Sequence, residues 1–270
     1  MIDTQYLEAR QLMLNLEESI VLHLIGCGGT GSWLAPAVAR IGLLLQDKFG
    51  KSVSIGFQDP DMVEEKNVFR QNFCYAEIGT NKAATLAARY GHAWGVDIHA
   101  LTTPFAGFKP NYGQTYVSVG CVDNAATREA INESRYSIWL DCGNAKNSGQ
   151  ILAGVTPAGV HKKLSLKDIF ALEGYCTWLP SPADQHPELL EALPEETRPE
   201  GNLSCADLAL LDAQGLSINQ RIAAEAADFL VKMLITRDLK RYACYLDLES
   251  GSTRSLYITP DQLKPYLPEG

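Results

Sequence analysis

The chain reads as an α/β protein: a doubly wound, mostly parallel sheet with C-terminal antiparallel strands and a long C-terminal helix. Three features predict this. Apolar runs of strand length alternate with helical stretches through the first 150 residues, the rhythm of β-α-β units. The run 20–26, IVLHLIG, has the continuous apolar character of a buried parallel strand and leads straight into glycines that open a helix. Beyond a helix predicted at about 205–236, RYACYLDLE and RSLYIT read as two antiparallel strands.

In chain order, residues 3–18 have the spacing of an amphipathic helix, with Leu7, Met13 and Leu14 among its apolar positions. The strand at 20–26 is followed by the helical stretch GSWLAPAVARIGLLLQ, where Pro36 is expected within the first turn, whose N–H groups lack intrahelical partners. VSIGFQD (53–59) is the second strand. A helix at about 80–94 comes next, then strands in VDIHALTT and TYVSVGCVD, a helix from about 124, and strands in SIWLDC and GQILAGV. Segment 181–201 carries four prolines and six acids with little apolar periodicity, which predicts a mobile surface crossover loop. The whole is expected to be one domain over 1–270, divided into an N-terminal helix (1–18), a nucleotide-binding core (19–150), the loop at 181–201 and a C-terminal part (202–270).

Charge and composition exclude several roles. The net charge of −9 argues against a main function on nucleic acid or an anionic membrane. No stretch approaches the roughly 20 apolar residues that cross a bilayer, and MIDTQYLEAR has acids where a signal peptide needs a basic start, so a cytoplasmic protein is expected. The seven cysteines form no C-x-x-C pair, the five histidines do not cluster, and no zinc is expected. His23, inside a strand, reads as a core residue, and Cys27 as a packed thiol.

Gly26, Gly28, Gly29 and Gly31 stand in a G-x-G-x-x-G pattern directly after a strand and at the start of a helix. Such glycines let the chain turn tightly and let backbone N–H groups approach a phosphate at the helix N-terminus, as in Rossmann-like sheets. Asp59 ends the second strand, where a carboxylate can accept from ribose hydroxyls. These parts point to an adenine nucleotide without choosing between ATP and NAD.

The residues that follow separate the two. Asp59 and Asp61, then Asn67, Arg70 and Gln71 in NVFRQ, then Lys82 in IGTNKA, then Asp123 and Asn124 in CVDNAATR, form an ordered set over residues 20–150. This set resembles that of the ThiF/MoeB/ubiquitin-activating superfamily of adenylating enzymes. TGSWLA after the glycines and the overall length look like the ThiF-like component of the bacterial PRTRC cluster. The resemblance implies Mg-ATP binding, with Asp123 holding magnesium. It also implies activation of a carboxylate, that of the C-terminal glycine of a ubiquitin-like β-grasp protein, for conjugation or sulfur transfer. It further implies a homodimer in which Arg10 reaches the partner's ATP, and a conjugating-enzyme-like neighbour. The chemistry agrees independently: attack on the α-phosphate builds negative charge, and one preorganised donor lost from such a site typically costs roughly 3 kcal/mol. Arg70 offers a bidentate fork and Lys82 a point charge, and Asn67 and Gln71 would orient the nucleotide.

Each residue also has a plainer role open to it: Arg70, Lys82 and Arg10 as solvated charges, Asp123 as a helix cap. Two other functions compete, an NAD(P)-dependent oxidoreductase and a non-catalytic nucleotide-binding scaffold subunit. In ThiF-like enzymes a cysteine after the crossover loop can accept the activated acyl group. Cys205 holds that place, at a predicted helix N-terminus that would favour its thiolate. Cys176 matches the second cysteine of the family's first zinc pair, but its partner and the later pair are missing.

Overall fold

The structure, a computed structural model, describes residues 4–108, 111, 113–157, 164–192 and 205–267, with the side chains of 205–216 left aside. The chain opens with α1 (Thr4–Glu8) and β1 (Gln11–Leu12), then runs through β2 (Ser19–Ile25), α2 (Gly29–Phe49), β3 (Ser52–Gln58), α3 (Lys82–Trp94) and β4 (Ile98–Leu101). β5 (Gln114–Gly120), α4 (Ala125–Glu133), β6 (Ile138–Asn144), β7 (Ser148–Gly154), α5 (Leu166–Ile169), β8 (Tyr175–Cys176) and α6 (Pro182–Gln185) follow. The last elements are α7 (Cys205–Leu234), β9 (Arg241–Asp247), β10 (Ser252–Tyr257) and α8 (Pro260–Leu263). Eight strands make one sheet in the order β10-β9-β7-β6-β5-β2-β3-β4. β6, β5, β2, β3 and β4 run parallel to one another, and β7, β9 and β10 pair antiparallel with β6, β7 and β9 respectively. The doubly wound, mostly parallel sheet read from the sequence is therefore present, with the long helix α7 in place. No helix among the described residues is long and apolar enough to cross a membrane.

The two faces of β2 show why its apolar run is continuous. Ile20, Leu22 and Leu24 point into the larger core beneath α2, α3 and α7. Val21 and Ile25 face a smaller core made with Tyr116, Ile131, Tyr136 and Trp139. Alternation along one strand thus serves two packed layers.

Three local expectations are corrected. The predicted helix at 3–18 stops at Glu8, because the backbone from Arg10 onward is claimed by distant partners. Its N–H groups at Arg10, Gln11, Leu12 and Met13 donate to the carbonyls of Ile258, Gly174, Leu239 and Cys176. The segment predicted as a loop from 181 is folded at its start. Ser181 caps α6 reciprocally with Asp184, Gln185 Nε2 donates to the carbonyls of Ala153 and Pro180, and the His186 ring meets Tyr245 Oη at 2.7 Å. Residues 193–201 of that expected loop lie outside the described residues. Pro36 is not in the first turn of α2 but inside the helix.

His23 occupies the smaller core as expected. The Gln58 amide nitrogen donates to the Thr103 carbonyl (2.9 Å), which turns its oxygen toward His23 Nε2 (3.0 Å). Nε2 therefore carries the ring proton, and Nδ1 accepts from Tyr136 Oη (3.1 Å). Both nitrogens are satisfied only in the neutral ring, and burial lowers the pKa from 6.5 to about 4, the Gln58 hydrogen bond opposing it. The unfolded chain thus takes up a proton before the folded one. The associated stability is complete above about pH 6.5 and is lost as pH falls toward 4, by at most roughly 3 kcal/mol. Urea unfolding of wild type and His23→Gln between pH 7 and pH 4 should show the wild type losing more stability than the variant. Parallel curves would remove His23 from the acid sensitivity.

Candidate functional site

The site forms at the carboxyl ends of β2, β3 and β5, where the chain leaves the sheet three times within contact distance. β2 ends at Ile25, and Gly26 turns with φ of +87°. A Cβ there would sit 2.5 Å from the Cys121 carbonyl oxygen, and one on Gly31 would sit 1.8 Å from the Gly26 carbonyl oxygen. Only glycine fits either position, so the loop after β5 presses directly on the turn. Gly28 is the N-cap of α2, without a side-chain cap, and Gly29 begins the helix.

Asp59, just past β3, is buried at 6% exposure and pins this turn. Its Oδ2 accepts the Cys27 N–H at 2.6 Å, and its Oδ1 accepts the Asp61 N–H at 2.9 Å. Burial pushes the carboxyl pKa up, while the two backbone donors and the Lys82 ammonium pull it down. Cys27 is fully buried, and burial pushes its thiol well above the ordinary range, as a packed residue requires.

Lys82 is the first residue of α3, and Asn81 caps that helix by accepting the Ala84 N–H. The Asn81 amide also donates to the carbonyls of Asp59 (2.9 Å) and Asp61 (3.0 Å), which fastens the helix start to the acid segment. The Lys82 side chain is 9% exposed, and its Nζ lies 3.0 Å from Asp61 Oδ2, whose side chain is 65% exposed.

Asn67, Arg70 and Gln71 follow one another around a tight turn. Asn67 is buried, and its Oδ1 accepts the Glu64 N–H, so it serves as a reciprocal cap. The Arg70 carbonyl accepts from Trp33 Nε1 (3.2 Å) and Asn219 Nδ2 (3.4 Å), which holds its backbone against α2 and α7. Gln71 is buried beside Gly28: its Nε2 lies 3.9 Å from the Cβ position there. Gln71 Oε1 has no hydrogen-bond partner among the described residues. Pro36 explains how this segment is attached. A proline inside a helix cannot donate to the carbonyl four residues back, here Ser32, and the Asn72 amide donates to that carbonyl at 3.2 Å.

Asp123 is exposed on the loop after β5, the loop whose Cys121 N–H donates to the Ile25 carbonyl. Asn124, not Asp123, caps α4, accepting the Thr127 N–H. Arg10 lies at the opposite edge of the sheet, its backbone N–H on the Ile258 carbonyl, far from the glycine turn of its own chain. Cys205 begins α7 as expected, and its side chain lies outside the described residues. Cys176 is buried, with its thiol donating to the Trp178 carbonyl and pushed by burial up to about 12.

Sequence reasoning missed Asn81, Asn219 and a buried ion pair. Arg128 Nε lies 3.2 Å from Asp141 Oδ1, and Asp141 is fully buried. This pair stands behind a cavity of about 540 Å³ at the same sheet edge, whose lining includes Arg128, Asn144, Gln150, Tyr245 and Arg254.

Removing one acceptor from Asp59 should loosen the turn. Asp59→Asn keeps the shape but sets an NH₂ against a backbone N–H, so chemical denaturation should register a loss of about 1–3 kcal/mol. Unchanged stability would show that the two backbone bonds do not hold the turn.

The model of the ThiF family matches residues 5–242. A search of curated proteins finds no match. Among solved structures, the chain is similar to a selenomethionine PaaA at 14% identity, with TM-score 0.52, over 89% of this chain and 64% of that one. Escherichia coli MccB with ATP is similar at 13% identity and TM-score 0.52, over 88% of this chain and 64% of that one. The same enzyme with AMPCPP and MccA gives 14% and 0.51, over 88% and 63%. The chain thus spans somewhat less than two thirds of the length of these proteins, and at such identity the likeness is one of fold.

Proposed function

The chain belongs to the ThiF family, and from that premise we propose that it binds ATP at the glycine turn and adenylates a carboxylate, that of the C-terminal glycine of a ubiquitin-like β-grasp protein. The observation that carries this reading is the fastening of separate segments around Gly26–Gly31: Asp59 on the Cys27 N–H, Gln71 beside Gly28, and the Arg70 backbone on α2 and α7. Lys82 acts electrostatically on Asp59 and Cys27 from the start of α3. A helix N-terminus without a side-chain cap, with the Lys82 ammonium acting on the acid beside it, suits a triphosphate.

In this mechanism the phosphates lie over the α2 N-terminus. Arg70 and Lys82 stabilise the charge that develops as the carboxylate attacks the α-phosphate and pyrophosphate leaves. Lys82 is paired with an exposed carboxylate, which a phosphate would replace as its counter-ion. Asp59 keeps its two backbone donors, and the remaining lone pairs of its oxygens face the ribose. Gln71, whose buried oxygen has no hydrogen-bond partner among the described residues, and Asn67 and Asn124 shape the surroundings of the nucleotide.

Magnesium fits Asp123. That carboxylate is exposed on the loop against Gly26, and no group of three or more His, Cys, Asp or Glu able to hold a metal occurs among the described residues. The residues therefore suit an ion that arrives with the triphosphate, since magnesium takes one or two carboxylates and fills its shell with phosphate and water. When bound, it would neutralise phosphate charge.

The substrate tail enters through the cavity bordered by Asn144 and Tyr245. The acyl group of the adenylate then passes to the thiol of Cys205, to a conjugating-enzyme-like protein or to a sulfur nucleophile, and AMP leaves as the acyl–phosphate bond breaks. Arg10, being remote from its own turn, serves only across a homodimer.

ATP–pyrophosphate exchange tests this reading. Exchange should require a β-grasp protein with an intact C-terminal glycine, and Arg70→Ala should lower its rate roughly 100- to 1000-fold. ATP uptake without exchange for any carboxylate partner would overturn adenylation. With Cys205→Ala, continued exchange and loss of a thiol-linked product would identify the acceptor, whereas survival of both would eliminate that thiol.

A further inference from the structure

We propose that Asn219, in the middle of α7, is a positioning residue that clamps the glycine turn to the arginine segment and to the mouth of the cavity. The functional consequence rests on the nucleotide-site reading above; the geometry does not. Asn219 is buried at 4% exposure, and its one amide meets three segments far apart in sequence. Oδ1 accepts from Thr30 Oγ1 at 3.3 Å, in the first turn of α2. The same oxygen accepts from Asn144 Nδ2 at 2.5 Å, at the end of β6 where the cavity opens. Nδ2 donates to the Arg70 carbonyl at 3.4 Å. The amide also packs against the backbone of Gly29, where a Cβ would meet it at 2.7–2.9 Å. Gly29 is thus small because Asn219 is there.

No other described side chain bonds to both α2 and the Arg70 backbone from α7. The helix is the longest among the described residues, and α2 packs along it. The clamp therefore ties the phosphate-facing turn to a rigid element rather than to a loop, as a preorganised charge site needs. Any displacement of α7, whose first residue is Cys205, would reach the turn and Arg70 through this amide.

The test compares Asn219→Ala and Asn219→Asp with wild type by amide hydrogen exchange without nucleotide, by ATP affinity in calorimetry, and by thermal unfolding. The alanine variant should exchange faster at both 26–32 and 67–72 and bind ATP roughly tenfold more weakly, the effect of a lost buried hydrogen-bond set. The aspartate variant keeps the acceptor for Thr30 and Asn144 but faces the Arg70 carbonyl with an oxygen. It should protect 26–32 and release only 67–72. A variant that loses thermal stability while both segments and ATP affinity stay as in wild type would overturn the clamp and leave Asn219 as packing. If the alanine variant does not fold, the aspartate variant decides alone, since uniform protection in it contradicts the proposal. Should wild type take up no ATP, the nucleotide reading fails, while the exchange pattern still judges the clamp.

Discussion

A parallel sheet leaves its strand ends open, and what is built there depends on bringing the loops into contact. Here the governing contact is the approach of the loop after β5 to Gly26, with a carbonyl oxygen where any side chain would have to be. That approach turns the Cys27 N–H toward β3, and the Asp59 carboxylate receives it at the cost of its own burial. A carboxylate in so closed a place is stable only because two backbone donors and a nearby ammonium act on it. The acid, the turn and Lys82 form one electrostatic unit: removing any member leaves the others in a worse environment than water.

Much of this was legible because it is local. The glycine pattern, the acid at the end of the second strand and the NVFRQ segment are close in sequence to the elements that carry them, and strand alternation set their order along the sheet edge. The helix at 205–234 was legible for the same reason. Asn219 was not. Its partners lie 189, 149 and 75 residues away, and nothing in SINQR distinguishes a buried asparagine from an exposed one. The N-terminal helix failed in the opposite way: its periodicity was adequate, but carbonyls of Ile258, Leu239, Gly174 and Cys176 compete for the same N–H groups. Local propensity is a few tenths of a kcal/mol per residue, and tertiary pairing overrides it.

Pro36 shows how a local defect is put to structural use. Inside a helix it leaves one carbonyl without its intrahelical partner, and an orphaned carbonyl within the fold needs a donor. Asn72 supplies one, while the Asn72 backbone N–H donates to Ser32 Oγ. The segment carrying Arg70 and Gln71 is therefore bound to α2 at the point where the helix cannot satisfy itself. A regular helix would offer that segment no free acceptor.

On the proposed reading, these attachments would let a chain of net charge −9 hold an anion. The global charge sets long-range repulsion, which salt screens over roughly 8–10 Å, whereas the turn acts within contact distance through N–H groups that are free because α2 begins there. Two of the acids beside the turn are not loose charges, and the third, Asp123, is exposed on the loop after β5. Asp59 is occupied by backbone donors and Asp61 by Lys82. Beside the turn stand the α2 N-terminus, whose Thr30 is bound to Asn219, and the Lys82 ammonium, which acts on Asp59 and Cys27. Local order, rather than the sum of charges, decides the sign of the field a phosphate would meet.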